Sequence, residues 1–513
     1  MLRALVRLAA IGACAGLPIV AAADTTAEQA SGLGRQLQDW VKHMAGQDVA
    51  IPDKFIQVTP EGDHYRVSFQ ASAVPGITVS EGGTISAAVH PASNGRWTID
   101  DLRFASPSKL VVPISGAAGS GNSAAAALPT EMTITLAQSE GSAALDPSLA
   151  SASTAKTKMS GYEIVATNTT AQQHITLDST AAEANLVPTA NGRLDFSETA
   201  SGENYSSTMK GTDLQPVELA AQHVGVKFRV NAVDPDRVVT LIRELVKVIN
   251  AALASASAEH NGATDGGTKP NAARAPANPQ LLQQLYLAFR GLASGGELNE
   301  AIDGVRIAAA GHMVGLGHLG LGGGIATPDG RLQAHLAFEI ADISASDIPP
   351  DARAYVPHHF SIKPSISGVD LADLDGLIVA ATASPAPDQP KIDAHLAALY
   401  QHGGYTVGLE DVDFDLGPAH LSGSAKLIAH APDDMVGQAD VKASGFDALM
   451  ANVQSAPELA QGIPVLAIMR SLAKPDGQDL RWSVHMENGV VTVNGHDLSA
   501  MFGNAKPPPP VTK

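Results

Sequence analysis

The chain has 513 residues, 44% of them hydrophobic and 4% aromatic, and a formal net charge of −19. That charge opposes binding to polyanions such as nucleic acid or anionic headgroups. The single cysteine, Cys14, lies in the leader, so the rest of the chain holds no disulfide, thiolate metal site or cysteine nucleophile.

Residues 1–23 read as a signal peptide. Arg3 and Arg7 form a positive start, Leu8 to Val20 is apolar, and Ala21-Ala22-Ala23 before Asp24 offers small residues for cleavage. The apolar run contains Pro18 and falls short of the roughly 20 residues that span a bilayer core. Removal is therefore expected, leaving a periplasmic protein that begins at Asp24. Ile11-Gly12-Ala13-Cys14 loosely resembles a lipoprotein box, but Cys14 comes early and more apolar residues follow, which argues against lipidation.

An amphipathic helix is expected next, with Leu33, Leu37, Trp40, Val41 and Met44 on one stripe. Period-two alternation then marks strands, because it puts apolar side chains on one sheet face and polar ones on the other. Tyr65, Val67 and Phe69 alternate in this way, as do Met132, Ile134 and Leu136, and then Val226, Phe228 and Val230. Asp234-Pro235 is an N-cap and first-turn pair for a helix carrying Val238, Leu241, Ile242, Leu245, Val248 and Ile249. Its stretch Val238 to Ala254 contains Arg243, Glu244 and Lys247, so no transmembrane segment is expected after cleavage of the leader. Residues 255–279, rich in Ala, Gly, Asn and Pro, read as a flexible linker. A further helix with Leu281, Leu282, Leu285, Phe289 and Leu292 follows Pro279.

In the second half Leu332, Ala334, Leu336, Phe338 and Ile340 share one strand face, as do Leu480, Trp482, Val484 and Met486. The pairs Asn94-Gly95, Asn191-Gly192, Asp329-Gly330, Asn488-Gly489 and Asn494-Gly495 are expected hairpin tips, since they tolerate positive φ. Val226 to Asp234 and Ala439 to Asp447 both run from strand to helix, an echo between halves. These signals give an α+β class: large antiparallel, hairpin-built sheets with amphipathic helices packed on one side. The expected layout is an N-terminal half over 24–254, the linker, a C-terminal half over 280–503 and a proline-rich tail over 504–513.

Candidate sites are weaker than the architecture. Gly315-Leu-Gly-His-Leu-Gly320 matches a dinucleotide fingerprint in spelling, but the glycines and Pro328 that follow forbid the helix on which a pyrophosphate would sit. The expected reading is a glycine-rich strand approached closely by other groups. His312 and His318 share a strand face with no evident third ligand, and His358-His359 point to opposite faces. Asp411, Asp413 and Asp415 alternate with Val412, Phe414 and Leu416, the pattern of a strand with an acidic wet face rather than a calcium loop. The usual hydrolase and phosphotransferase signatures are missing. No catalytic residue, metal or cofactor is expected, and clustering of His312, His318 and His335 would be the first hint of an enzyme.

From about Asp342 to Phe502 the chain resembles uncharacterised proteobacterial envelope families of the wider AsmA-like group. The resemblance rests on Val441 to Asp447, the stretch Leu466 to Leu472, and Trp482 to Gly495. It implies a curved antiparallel sheet with helices on one side and an apolar face that holds lipid or peptide. AsmA-like proteins usually keep a membrane helix, and this leader looks cleavable instead. The expectation is a non-enzymatic envelope protein holding a lipid-like ligand against Leu332, Leu336, Phe338 and Ile340. The alternative is a structural partner of envelope proteins with no small ligand.

Overall fold

A computed structural model describes residues 25–45, 52, 54–70, 72, 78–92, 96–105, 109–111, 131–146, 151–167, 171–211, 215–235, 237, 283, 290–348, 356–382, 387–431, 434–455, 463–487 and 489–498. The expected leader with Cys14, the expected linker over 255–279 and tail over 504–513, and almost all of the two helices expected after Asp234 and Pro279 lie outside these residues. The chain divides into two compact units, Met1–Gly296 with Ile302–Gly311, and Glu297–Ala301 with His312–Lys513. Both are mostly antiparallel β-sheet. No helix of the described residues is long and apolar enough to cross a membrane.

The first unit opens on helix α1 (Ala27–Ala45), followed by β1 (Ile56–Glu61), β2 (His64–Gln70), β3 (Thr78–Glu81), β4 (Thr84–Pro91), β5 (Trp97–Phe104) and β6 (Lys109–Val111). Five long strands follow: β7 (Glu131–Asp146), β8 (Ser151–Thr167), β9 (Ala171–Pro188), β10 (Leu194–Gly211) and β11 (Val217–Val233). Pairing runs β1, β2, β4, β5, β7, β8, β9, β10, β11, antiparallel at every step. The small ribbon of β3 and β6 stands apart. Ala30, Leu33 and Leu37 of α1 are buried against Ile56, Tyr65, Val67, Ala87, Val89 and Ile99. Leu33 and Leu37 of the expected stripe thus meet the period-two face of β2, while the side chains of Trp40, Val41 and Met44 lie outside the described residues. The Tyr65 hydroxyl donates to Gln29 Oε1 at 2.9 Å, which satisfies the one polar atom that this ring brings into the core.

Strand β12 (Gly295–Ala309) contributes to both units. The second unit continues with β13 (His312–Ala326), β14 (Arg331–Ala341), β15 (Ser344–Ala345) and β16 (His359–Asp370), then helices α2 (Leu371–Ala381) and α3 (Gln389–Gln401). After them come β17 (Tyr405–Asp415), β18 (His420–Ala431), β19 (Asp434–Ser444), helices α4 (Phe446–Ser455) and α5 (Ile463–Leu472), β20 (Lys474–Asp476), β21 (Asp479–Glu487), β22 (Val490–Val493) and β23 (His496–Asp497). The ladder runs β13, β14, β16, β17, β18, β19, β21, β22, β23, again antiparallel throughout. β15 pairs with β13, and β20 with β21.

Turn chemistry behaves as the dipeptides predict. Asn191 and Gly192 have φ of 65° and 71°, Asp329 and Gly330 52° and 75°, and Asn494 and Gly495 51° and 87°. Asn94-Gly95 and Asn488 lie outside the described residues. The glycine run at 315–324 is extended within β13. A Cβ at Gly317 would lie 2.6 Å from Cβ of Asp342, and one at Gly322 would lie 2.9 Å from Oδ1 of Asn299. Close neighbours therefore occupy the space that side chains would need there.

Candidate functional site: an open apolar sheet face and its charged reverse

Residues directly opposite each other in an antiparallel ladder share a face, so the register traces each face across the second unit. One rung reads Leu321, Phe338, Ile362, Val412, Gly423, Val441, Trp482 from β13 to β21. Two residues along, the next reads Leu319, Ile340, Phe360, Phe414, Leu421, Ala443, Leu480. Between them lies the reverse face, with Gly320, Glu339, Ser361, Asp413, Ser422, Lys442 and Arg481. One side of seven strands is thus almost wholly apolar and the other polar. Phe360 bridges the apolar rung edge to face, its centroid 6.1 Å from Phe338 and 5.8 Å from Phe414.

Cover over the apolar face is uneven. At β19 and β21, Ala443, Leu480 and Trp482 form a core with Phe446, and Met450, Leu466, Met469 and Leu472 of α4 and α5 pack against it. Trp482 Nε1 donates to the Met469 carbonyl at 2.8 Å, and Asn494 Nδ2 to the Leu472 carbonyl at 2.8 Å. Both bonds satisfy carbonyls in the last turn of α5 that have no intrahelical donor. At one end of β17, Tyr405 meets Tyr400 of α3 with centroids 5.8 Å apart. At β13 and β14 the same face is open: Leu321 is 48% exposed, Ile325 52% and Leu336 62%.

The residues expected to hold a ligand fall on this face. Leu336, Phe338 and Ile340 stand opposite Gly323, Leu321 and Leu319 of β13. Phe338, Ile340 and Leu332 are half-buried. Leu332 lies beyond a register shift: it pairs with Val369, while Gln333 pairs with Ser367, so Gly368, at φ 86°, is the extra residue of a bulge in β16. A second shift occurs where Pro364 interrupts β16, between the pairs Ile362–Val412 and Pro364–Leu409. Proline has no N–H to give a ladder, and a bulge in the neighbouring strand is where a sheet interior tolerates it.

The reverse face carries a chain of acids and imidazoles that sequence spacing did not reveal. His359 Nδ1 lies 2.8 Å from Asp413 Oδ1 and its Nε2 3.2 Å from Glu339 Oε1, and His420 Nε2 lies 2.7 Å from Asp413 Oδ2. Facing carboxylates on both ring nitrogens, His359 is suited to the doubly protonated form. The hydrogen bond to Asp413 accordingly raises its pKa, with Glu339 adding to the effect. Partial burial pushes Asp413 up, but the bonds from His359 and His420 outweigh it and hold the carboxyl below its ordinary range. Asp413 is thus a half-buried clasp and not part of a wet acidic face. The network ties β14, β16, β17 and β18 together and leaves neither nitrogen of His359 free for a substrate.

The histidines whose clustering would have hinted at an enzyme are strung out. His318 stands opposite Ala341 and His335 opposite Gly324, six ladder positions apart or roughly 20 Å at strand rise. His312 pairs with Asp347. A different constellation, Asp370, Asp373 and His402, comes together at α2 and the end of α3, with His395 beside Asp373. The His402 Nδ1 is 2.6 Å from Asp373 Oδ2.

These geometries fall largely in one segment. Residues 326–500 match a family described as an uncharacterized protein conserved in bacteria (DUF2125). The DUF2125 segment is about a third of the chain. It holds β14 and every later strand, all four helices of the second unit, the charged network and the Asp370 constellation. No curated protein matches the chain.

Proposed function

We propose that this chain is an exported, non-catalytic protein of the bacterial envelope that holds an acyl-chain ligand against the open part of the apolar face in its second unit. The observation that carries the reading is the exposure of Leu321, Ile325 and Leu336 on the same sheet face that is buried at Leu480 and Trp482. Contiguous apolar surface left in water is costly, and where it persists it commonly marks a binding surface. The open lining is aliphatic, which suits a flexible hydrocarbon better than a sugar or base that needs aromatic stacking. Helix pairs α2–α3 and α4–α5 are inferred to lie on this same apolar side, as the Tyr400–Tyr405 contact and the α5 bond to Trp482 suggest. They would then bound the ligand at either end. The leader supports export to the periplasm, and the resemblance to AsmA-like envelope proteins points the same way.

The test is mass spectrometry of lipids extracted from the protein purified from native envelopes, for the wild type and for Leu336→Glu. The wild type should carry acyl lipids in intact form, and the variant should fold and lose them. Lipid-free wild type would refute the reading in favour of a structural partner of envelope proteins, and released fatty acid would mark an enzyme.

A further inference from the structure

Among the described residues Asp373 is the most buried acid of the second unit, its side chain only 10% exposed, and its ion-pair partners there are histidines. His402 Nδ1 is 2.6 Å from Oδ2, and His395 Nδ1 is 3.9 Å from Oδ1. Among the described residues neither contact is to a lysine or arginine. Asp370, the N-cap of α2, lies close by and accepts from the backbone N–H groups of Ala372 and Asp373. One donor atom from each of Asp370, Asp373 and His402 lies within 4.8 Å of the others. Arg331, opposite Asp370 in the ladder, spends its guanidinium on the carbonyl of His402 at 2.7 Å. That bond anchors the end of α3 that presents the imidazole.

The two helices are shaped for this approach. His395 and His402 are seven apart on α3 and its C-cap, two turns of helix, so both face α2. Across from them α2 has Gly376, where a Cβ would lie 2.1 Å from the His395 ring. Only glycine admits that imidazole against the α2 backbone.

We propose that Asp370, Asp373 and His402 bind a divalent transition-metal ion of the zinc class, with His395 drawn in from beside Asp373 as the fourth donor. Two carboxylates and one imidazole already stand together, and His395, 3.9 Å from Asp373 but outside that group, would complete a tetrahedral nitrogen and oxygen set at about 2.0–2.2 Å from such an ion. Neighbouring donors would then stand about 3.3 Å apart. The Asp373–His402 contact would open modestly as the metal comes between them, and His402, half exposed, is free to make that move. The ion would clamp α2 to α3 and place a fixed positive charge beside the buried carboxylate.

The experiment uses untagged full-length protein, stripped with chelator and titrated with zinc by calorimetry, with thermal unfolding followed in parallel. Wild type should bind one equivalent at this site and melt at a higher temperature when loaded. His395→Ala/His402→Ala should weaken that binding at least tenfold and abolish the thermal shift, and His402→Gln, altered at an exposed position, should do so in part while keeping the far-ultraviolet spectrum. His64→Ala/His90→Ala, which removes the other cluster of possible ligands, Asp63, His64 and His90, should leave the binding intact. Failure of the wild type to bind zinc, or equal affinity in the α3 double variant, would overturn the proposal and leave a hydrogen-bonded staple between two helices.

Discussion

Leu336 and Trp482 lie on the same sheet face, and their contrast measures whether that face is core or surface. Burying a leucine side chain fully is worth about 1.5–3 kcal/mol. With 62% of Leu336 exposed, little more than a third of that, about 1 kcal/mol, is lost when it is replaced. Trp482 is 5% exposed and packs on Phe446 with ring centroids 5.7 Å apart, so truncation to alanine should cost about 3–5 kcal/mol. Even Trp482→Phe, which keeps most of the ring, strands the Met469 carbonyl and should cost about 1–3 kcal/mol. Urea unfolding of delipidated protein gives each value as a shift in midpoint at constant slope. If Leu336→Glu lost as much stability as Trp482→Ala, the open face would be ordinary core, and the reasoning behind the ligand surface would collapse.

The Glu339–His359–Asp413–His420 network should make stability depend on pH. The raised His359 pKa contributes stability that is fully present below the ordinary histidine value near 6.5 and lost as pH rises through the folded value, while the lowered Asp413 pKa contributes above about 4 and is lost on acidification. His359→Gln should therefore destabilise more at pH 5.5 than at pH 8.5 in urea titrations, and an equal loss at both would show that the charge pairing is irrelevant. Gly445, at φ 66° before α4, leaves room for a Cβ only 2.0 Å from the Pro418 carbonyl. Gly445→Ala should cost more than Gly62→Ala, which has the same φ of 66° but no heavy atom within 4 Å and so bears only about 1 kcal/mol of left-handed strain; equal thermal shifts would contradict that reasoning.

The sequence exposes the strands because sheet pleating has period two, and Leu332 to Ile340 or Leu480 to Met486 could hardly be read otherwise. It exposes the turns because Asn-Gly and Asp-Gly pairs accept positive φ where other residues resist it. It does not expose which strands stand side by side. Glu339, His359, Asp413 and His420 come from four strands, and their meeting depends on the order and register of those strands, which hold without interruption there, while two register shifts, at Gly368 and opposite Pro364, lie farther along. A proline within an otherwise alternating strand was the available clue to the second. Asp370 with Asp373, and His395 with His402, each carry helical spacing, but nothing local says that α2 and α3 pack together. Gly376, the residue that permits their approach, reads in sequence only as a weak point in a helix.

Where the apolar face is covered follows from where helices interrupt the hairpin order. The chain leaves β19 for α4 and α5 before returning to β21, and that excursion places Met450, Leu466 and Met469 over Trp482. It likewise leaves β16 for α2 and α3 before β17, and Tyr400 meets Tyr405 there. Between β13 and β14 there is only a tight turn at Asp329-Gly330, and a turn of that size has no side chains with which to roof a sheet. Leu321, Ile325 and Leu336 are therefore open because of connectivity: among the described residues no element inserted at that hairpin can reach back over them. Adding charge on those positions would be the cheap way to make such a face soluble, and the chain keeps it aliphatic instead. A surface that connectivity leaves bare and composition leaves aliphatic is the one that the proposed acyl chain would cover, since contiguous apolar surface in water is costly.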